Sequence, residues 1–332
     1  MIITYIFRNS GISIEKVFDT ITKEVACRVG TIRKEKLRYY RFWPIGLLIN
    51  TIKYTYKSYT SKNLFHITGD VHYLGCLMNK KNTILTIHDA VPLHDKNVAW
   101  YSRILCYWLW FYFPLKRLKY ITCISEATKD DLAIFFPWAK DKLIVIPNPV
   151  GEDFQYHPVV SKQRPVLLHI GTRENKNLPR VIQAIDGLNV TLRIVGKLSE
   201  DQYKLLQIHN IRYENLYNIS DKQIVEEYIN SDIVSFPSLF EGFGMPIIEG
   251  QAIGRPVITS ILEPMKSVAG NAAILVDPEN VYSIRKGIVS LLHNKVLYDQ
   301  IVKKGRINAE KFLKANIAKQ YIDLYEQINN RL

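Results

Sequence analysis

The stretch Ser238-Leu239-Phe240-Glu241-Gly242-Phe243-Gly244-Met245-Pro246-Ile247-Ile248-Glu249 sets two glutamates, with seven residues between them, around a glycine-bearing loop that opens a helix. Just before it, Asp232-Ile233-Val234-Ser235-Phe236 has the short apolar run of a buried strand. Just after the loop, Met245 to Ile253 predicts a helix with Pro246 in its first turn, where the missing N–H is no loss. Pro237 to Gly244 is then the loop at the strand's carboxyl end, the place where an open α/β sheet binds ligands. The N–H groups of the first helical turn and the positive end of the helix dipole attract an anion there, and Gly242 and Gly244 let the backbone approach it. Glu241 in the loop is placed to accept hydrogen bonds from sugar hydroxyls, and Glu249, further into the helix, from a ribose. Such a corner suits a phosphorylated sugar donor. A dinucleotide fingerprint does not fit, because Ile247 stands where its third glycine belongs.

Working outward, strand-like and helix-like runs alternate along the chain, which predicts an α/β protein with mostly parallel sheets. Ile2–Phe7, Leu64–Thr68, Thr83–Ile87, Tyr120–Ile124 and Leu143–Ile146 read as strands of the first half, with helices at Ile14–Val25, Trp100–Phe113 and Glu126–Phe135. In the second half Val166–Ile170, Thr191–Val195, Ile233–Phe236, Val257–Thr259 and Ile274–Val276 read as strands. Helices are expected near Leu178–Ala184, Glu200–Gln207, Asp221–Tyr228, Met245–Ile253 and Val281–Leu292, and residues 309–332 as a last amphipathic helix. Two prolines and a glycine within Pro147-Asn148-Pro149-Val150-Gly151 exclude regular structure and place a hinge there. A length of 332 residues also favours two cores over one.

Two further segments carry chemistry. Leu167-Leu168-His169-Ile170-Gly171-Thr172-Arg173-Glu174-Asn175-Lys176-Asn177-Leu178 is again a strand, a glycine turn and a helix start. Its cations Arg173 and Lys176 sit where they can stabilise the charge that develops on a departing diphosphate. Thr86-Ile87-His88-Asp89-Ala90-Val91-Pro92-Leu93 ends a first-half strand in His-Asp. No Gly-x-Ser-x-Gly phrase accompanies it, so a nucleophile-base dyad is not indicated.

Together these segments resemble the family 4 glycosyltransferases, retaining enzymes of the GT-B fold whose signature is E-x7-E within S-x-x-E-G-F-G-x-P-x-x-E. Glu241 and Glu249 match both acidic positions, and Ala252-Ile253-Gly254-Arg255-Pro256-Val257-Ile258 and Ala272-Ala273-Ile274-Leu275-Val276-Asp277-Pro278 continue the pattern. The resemblance implies two Rossmann-like domains facing each other across a cleft. Residues 1–147 would bind the acceptor, residues 148–311 the nucleotide sugar, and a helix at about 312–332 would pack back on the first domain. It implies donor contacts from Gly171, Thr172, Phe243, Gly244, Met245, Pro246 and Glu249, and from Asn218 and Ile219, where relatives read the nucleobase. Glu241, Lys176, Arg173 and His88 would serve the reaction, His88 bonding the transferred hexose with Asp89 as its orienting neighbour.

The chain departs from the pattern in three places. Asn175 precedes Lys176 where relatives have arginine, which makes Lys176 the firmer match of the two cations. Lys266-Ser267-Val268-Ala269-Gly270 replaces Pro-Glu-Val-x-Gly, and the glycine-rich loop after the first strand shrinks to Asn9-Ser10-Gly11. The expected reaction moves a hexose from a UDP- or GDP-sugar to a hydroxyl of a lipid-linked oligosaccharide in surface-polysaccharide assembly, of O-antigen or capsule type. No cofactor beyond the donor is expected, and no metal, since the sequence has no Asp-x-Asp to hold a metal–diphosphate complex.

Charge is unevenly placed. Residues 1–150 hold 22 Lys and Arg against 11 Asp and Glu, giving +11, whereas the remainder holds 22 against 20, giving +2. Part of the excess is Arg33-Lys34-Glu35-Lys36-Leu37-Arg38-Tyr39-Tyr40-Arg41-Phe42-Trp43, and part flanks the uncharged, aromatic Ile104–Phe113. That ten-residue segment is too short to span a bilayer, which takes about twenty apolar residues, and either lies on a membrane or belongs to the first core. A cytoplasmic protein with peripheral contact at the inner face of the plasma membrane is therefore expected. The four scattered cysteines contain no Cys-x-x-Cys pair and suggest neither a disulfide framework nor structural zinc. Two rivals stand beside the transferase: a non-catalytic sugar-nucleotide sensor on the same fold, and a nucleic-acid-binding protein motivated by the +13 charge. No helix-turn-helix, zinc or RNA-recognition phrase supports the latter.

Overall fold

A computed structural model describes residues 1–8, 12–37, 44–94, 99–160 and 163–332. Asn9-Ser10-Gly11 and the Arg38–Trp43 end of the basic cluster lie outside the described residues. The chain divides into two compact units, Met1–Pro149 with Lys314–Leu332, and Val150–Leu313.

Unit 1 is a parallel six-stranded sheet of β1 (Ile2–Phe7), β2 (Thr31–Lys36), β3 (Leu64–Ile67), β4 (Thr83–Ile87), β5 (Tyr120–Cys123) and β6 (Leu143–Val145), in the order β2-β1-β3-β4-β5-β6. β3, β4 and β5 are buried throughout, as strands covered on both faces must be. β2, Thr-Ile-Arg-Lys-Glu-Lys, is the opposite: a charged edge strand, a composition that discourages pairing with another chain. Three of its four charges are paired, Lys34 with Asp19, Lys36 with Glu15 at 2.8 Å, and Glu35 with Lys57 at 2.7 Å and the Tyr54 hydroxyl at 3.0 Å. The described part of the basic cluster is thus a strand with neutralised lysines.

Helix α1 (Ile12–Val29) covers one face of this sheet together with the C-terminal helix, Lys314–Asn329. Ile317, Tyr321, Leu324, Tyr325 and Ile328 point from that helix into the core. The helix expected over residues 309–332 begins only at Lys314, because a preceding helix ends at Glu310 and a short turn intervenes. Tyr325 makes the attachment specific: its hydroxyl lies 2.7 Å from His66 Nδ1, while His66 Nε2 lies 2.7 Å from the Thr86 hydroxyl. Complete burial holds His66 neutral, its pKa down at about 3.

On the opposite face lie α2 (Ile45–Thr60) and the aromatic segment Trp100–Arg117. That segment is α-helical at its ends and π-helical over Cys106–Tyr112. The wider turn redirects backbone carbonyls, which side chains satisfy: His72 Nδ1 meets the Trp110 carbonyl at 3.0 Å and Cys76 Sγ donates to that of Leu109 at 3.4 Å. Phe111 and Leu115 are buried while Trp100, Ile104, Trp108 and Phe113 are exposed, so one side of the segment belongs to the core.

Unit 2 repeats the plan with β7 (Val166–Ile170), β8 (Thr191–Val195), β9 (Tyr213–Leu216), β10 (Ile233–Phe236), β11 (Val257–Ser260) and β12 (Ile274–Val276), in the order β12-β11-β10-β7-β8-β9. All neighbours are parallel. Chain order reverses between β7 and β10, so the crevice outside their carboxyl ends is the switch point where such sheets bind ligands. The loop after β7 leads into α3 (Leu178–Ala184) and the loop after β10 into α4 (Met245–Ile253). Among the described residues no helix is long and apolar enough to cross a membrane.

Candidate active site

The two loops at the β7/β10 switch point are tied to each other. Leu239 N donates to the Asn175 carbonyl at 2.8 Å, and Asn175 Nδ2 donates to the Phe240 carbonyl at 3.1 Å. Asn177, buried and left-handed at φ 64°, donates to the carbonyls of Pro237 at 2.9 Å and Pro278 at 2.7 Å. This rigid frame brings Lys176 Nζ to 2.6 Å from Glu241 Oε1, with both side chains more than four-fifths shielded from water. Lys176 Nζ also lies 4.7 Å from the centre of the buried Phe236 ring, a cation–π contact. Gly171, at φ 92°, is required by this packing, since a Cβ would meet Lys176 Cγ at 2.8 Å.

Gly244 (φ 103°) takes the left-handed turn that starts α4 and supplies no side-chain cap. Pro246 carries no N–H and Ile247 N donates back to the Gly244 carbonyl at 3.0 Å, so the Met245 N–H and the positive end of the helix dipole are what this start offers an anionic ligand. Phe243 is buried behind the loop against Phe312. One turn into α4, Glu249 Oε2 accepts from the Tyr228 hydroxyl at 2.6 Å, which fixes the carboxylate. Burial drives the Tyr228 pKa well above its ordinary value, and the adjacent Glu249 charge adds to it, so the phenol stays a donor.

Around the rim, Thr172 is anchored through its hydroxyl to the Lys197 carbonyl at 2.7 Å, and Arg173 is exposed. Among the described residues Arg173 makes no ion pair, unlike Lys176. Asn218, left-handed at φ 56°, and Ile219 form the loop beyond the carboxyl end of β9, two strands from β7. Two more side chains enter from the frame. His169, buried on β7, places Nδ1 3.1 Å from the Ser235 carbonyl and leaves Nε2 without a partner, and Ser238 Oγ is likewise buried and unpaired. Burial, reinforced by Lys176, lowers the His169 pKa to about 4.

Comparison with known proteins shows the family of the chain. A model of "Glycosyl transferases group 1" matches residues 153–308 and one of "Glycosyltransferase Family 4" matches residues 26–154. The chain belongs to the family 4 glycosyltransferases. Curated relatives include an O-antigen chain mannosyltransferase B of Escherichia coli, 25% identical over 64% of this chain and 61% of its own length. Another is an O-antigen chain mannosyltransferase of Salmonella typhimurium, 24% identical over 64% of this chain and 65% of its own. The chain thus matches a little under two thirds of the length of these relatives. Among solved structures, a glycosyltransferase of Rickettsia africae superposes with a TM-score of 0.76 at 18% identity, covering 98% of both chains. HepE of Anabaena, solved with UDP and glucose, superposes with a TM-score of 0.78 at 14% identity, covering 98% of this chain and 100% of its own. The fold is GT-B, with two Rossmann-like units.

In this family 4 glycosyltransferase His88 stands on unit 1, at the carboxyl end of β4. Its Nε2 donates to the Thr68 carbonyl at 2.8 Å, so a backbone group orients the ring where the sequence pointed to Asp89. Burial lowers its pKa to about 4, which keeps the imidazole neutral with Nδ1 an acceptor. Unit 1 also holds a cavity of about 400 Å³ lined by Asp70, Tyr101, Leu105, Cys106 and Trp110. Trp110 Nε1 donates to Asp70 there at 3.1 Å, and Arg8 pairs with Asp70 at 3.2 Å. The sequence reading missed Asn175, Tyr228 and Ser238. Asn175 was visible only as a departure from the family pattern, and Tyr228 only through its spatial neighbour Glu249. Among the described residues no three His, Cys, Asp or Glu side chains cluster as metal ligands would.

Proposed function

We propose that the protein transfers a hexose from a UDP- or GDP-sugar to a hydroxyl of a lipid-linked oligosaccharide, with retention of anomeric configuration. The observation that carries this reading is the shielded Lys176–Glu241 pair at the switch point, beside an uncapped helix start. A carboxylate and an ammonium in contact still keep lone pairs and N–H donors free, so Glu241 can accept from hexose hydroxyls while Lys176 donates to a phosphate oxygen. Negative charge grows on the diphosphate as the glycosidic bond breaks. Lys176, Arg173 and the amino terminus of α4 meet it, and Glu249, held by Tyr228, takes the ribose. The departing phosphate then accepts the acceptor's proton on the face it leaves, and neither a dedicated base nor a metal is needed.

The mannosyltransferase names of the relatives favour mannose and O-antigen-type assembly, and the UDP and glucose bound to HepE favour a nucleoside-diphosphate sugar. His88 and the unit 1 cavity are the acceptor-side groups of this reading. Purified protein incubated with a panel of UDP-, GDP- and ADP-hexoses tests it. One donor is expected to turn over to an α-linked product, at the same rate in EDTA as in magnesium. Binding without turnover for every donor would instead identify a sensor, and activity that vanishes in EDTA and returns with manganese would refute the metal-free mechanism.

A further inference from the structure

Helix α2 turns its apolar side to water. Gly46, Asn50, Tyr54 and Ser58, spaced four apart, are the residues it buries. On the other side Ile45 (65% exposed), Leu48 (61%), Ile52 (61%), Tyr56 (70%) and Tyr59 (57%) form one stripe, with Ile49 at its edge. At about 1.5 Å per residue the stripe runs roughly 20 Å without a charged residue in it. From Lys36 to Gly69 the sequence has no Asp or Glu and six Lys and Arg, of which Lys36 pairs with Glu15 and Lys53 and Lys57 with Glu35. At the carboxyl end of the stripe, Arg117 Nη2 donates to the Tyr59 hydroxyl at 2.6 Å, and the exposed Lys62, Lys80 and Lys81 surround it with the exposed Leu77. The loop carrying Lys80 is fastened to α2, since Asn79 N donates to the Ser58 hydroxyl at 2.9 Å.

We propose that α2 docks this protein on an anionic lipid surface, its Ile45–Leu48–Ile52 stripe entering the acyl boundary and its tyrosines and flanking cations lying among the headgroups. Apolar burial, aromatic residues at the interface and cations facing anionic lipid act together in such helices. A second copy of the chain is a poorer occupant. A two-fold contact would set each cationic rim against its own image, and six apolar side chains fall short of the roughly 20–30 residues a side of a standard interface.

Sedimentation with vesicles tests the docking without any sugar nucleotide, so its result is independent of the proposed transfer. Phosphatidylglycerol/phosphatidylethanolamine vesicles are expected to pellet the protein, and phosphatidylcholine vesicles to leave it in solution. Leu48→Ser/Ile52→Ser should weaken partitioning roughly tenfold or more. Lys80→Glu/Lys81→Glu should weaken it too and flatten its salt dependence. All four positions are exposed, so melting curves and transfer to a water-soluble acceptor should match the parent. Equal pelleting of parent and Leu48→Ser/Ile52→Ser overturns the proposal. So does a parent dimer that the same double substitution converts to monomer, because the stripe would then be a self-interface.

Discussion

Glu241 and Lys176 are both paired and shielded, as Arg193 and Glu227 also are, whereas the other described ion pairs of unit 2 include an exposed partner. Losing either leaves the other's charge without its contact. Glu241→Gln and Lys176→Ala are therefore expected to lower kcat by about 10²–10³-fold, the range for removing one group that stabilises developing charge. Glu249→Gln should mainly raise KM for the donor, because the ribose contact serves ground state and transition state alike. Steady-state kinetics with varied donor separate the two effects, and parent-like kcat in the Glu241 and Lys176 variants would contradict the site. At this scale the acidic phrase was legible, since each glutamate sits at a fixed offset from a glycine turn. The Tyr228–Glu249 bond was not, because it joins residues from two helices whose packing no local pattern encodes.

Elements covered on both faces were readable as near-continuous apolar runs, and β1, β4, β7, β8 and β10 start and end where those runs do. The sequence reading left β2, β9 and α2 without an element, each for a physical reason. β2 and β9 are edge strands, with charged or half-exposed side chains in place of an apolar run. α2 inverts the usual amphipathic rule by burying Gly, Asn, Tyr and Ser while exposing Ile and Leu. The C-terminal helix illustrates specificity on top of apolar packing. Tyr325→Phe keeps the ring but strips His66 Nδ1 of its partner in a fully buried site. That change should destabilise unit 1 by about 1–3 kcal/mol, the cost of an unsatisfied buried polar group. Urea unfolding followed by tryptophan fluorescence reads it, and an unchanged midpoint would show that the bond contributes nothing.

For the molecule as a whole, the division into two units has a consequence for acid stability. All five tryptophans, Trp43, Trp100, Trp108, Trp110 and Trp138, belong to the unit 1 part of the sequence, so their fluorescence follows that unit. Unit 1 also holds three histidines with lowered pKa values: the buried His66 at about 3, the half-buried His88 at about 4, and the buried His72, lowered by burial against the opposing pull of Asp70. Unit 2 has one, His169 at about 4. A histidine kept neutral by the fold takes up a proton below its ordinary 6.5 only when the chain unfolds. The unfolded state then binds more protons, and stability falls as pH falls from 6.5 toward the folded values. His66 alone accounts for about 1.4 kcal/mol per pH unit in that window. Asp and Glu side chains ordinarily titrate near about 4, below this interval, so the loss there is assigned to the histidines. The tryptophan-detected urea midpoint is expected to drop steeply over this interval, and the part of the far-UV circular dichroism transition contributed by unit 2 to drop less. A tryptophan midpoint that holds constant from pH 7 to 5 would mean that the unit 1 histidines take up protons without unfolding.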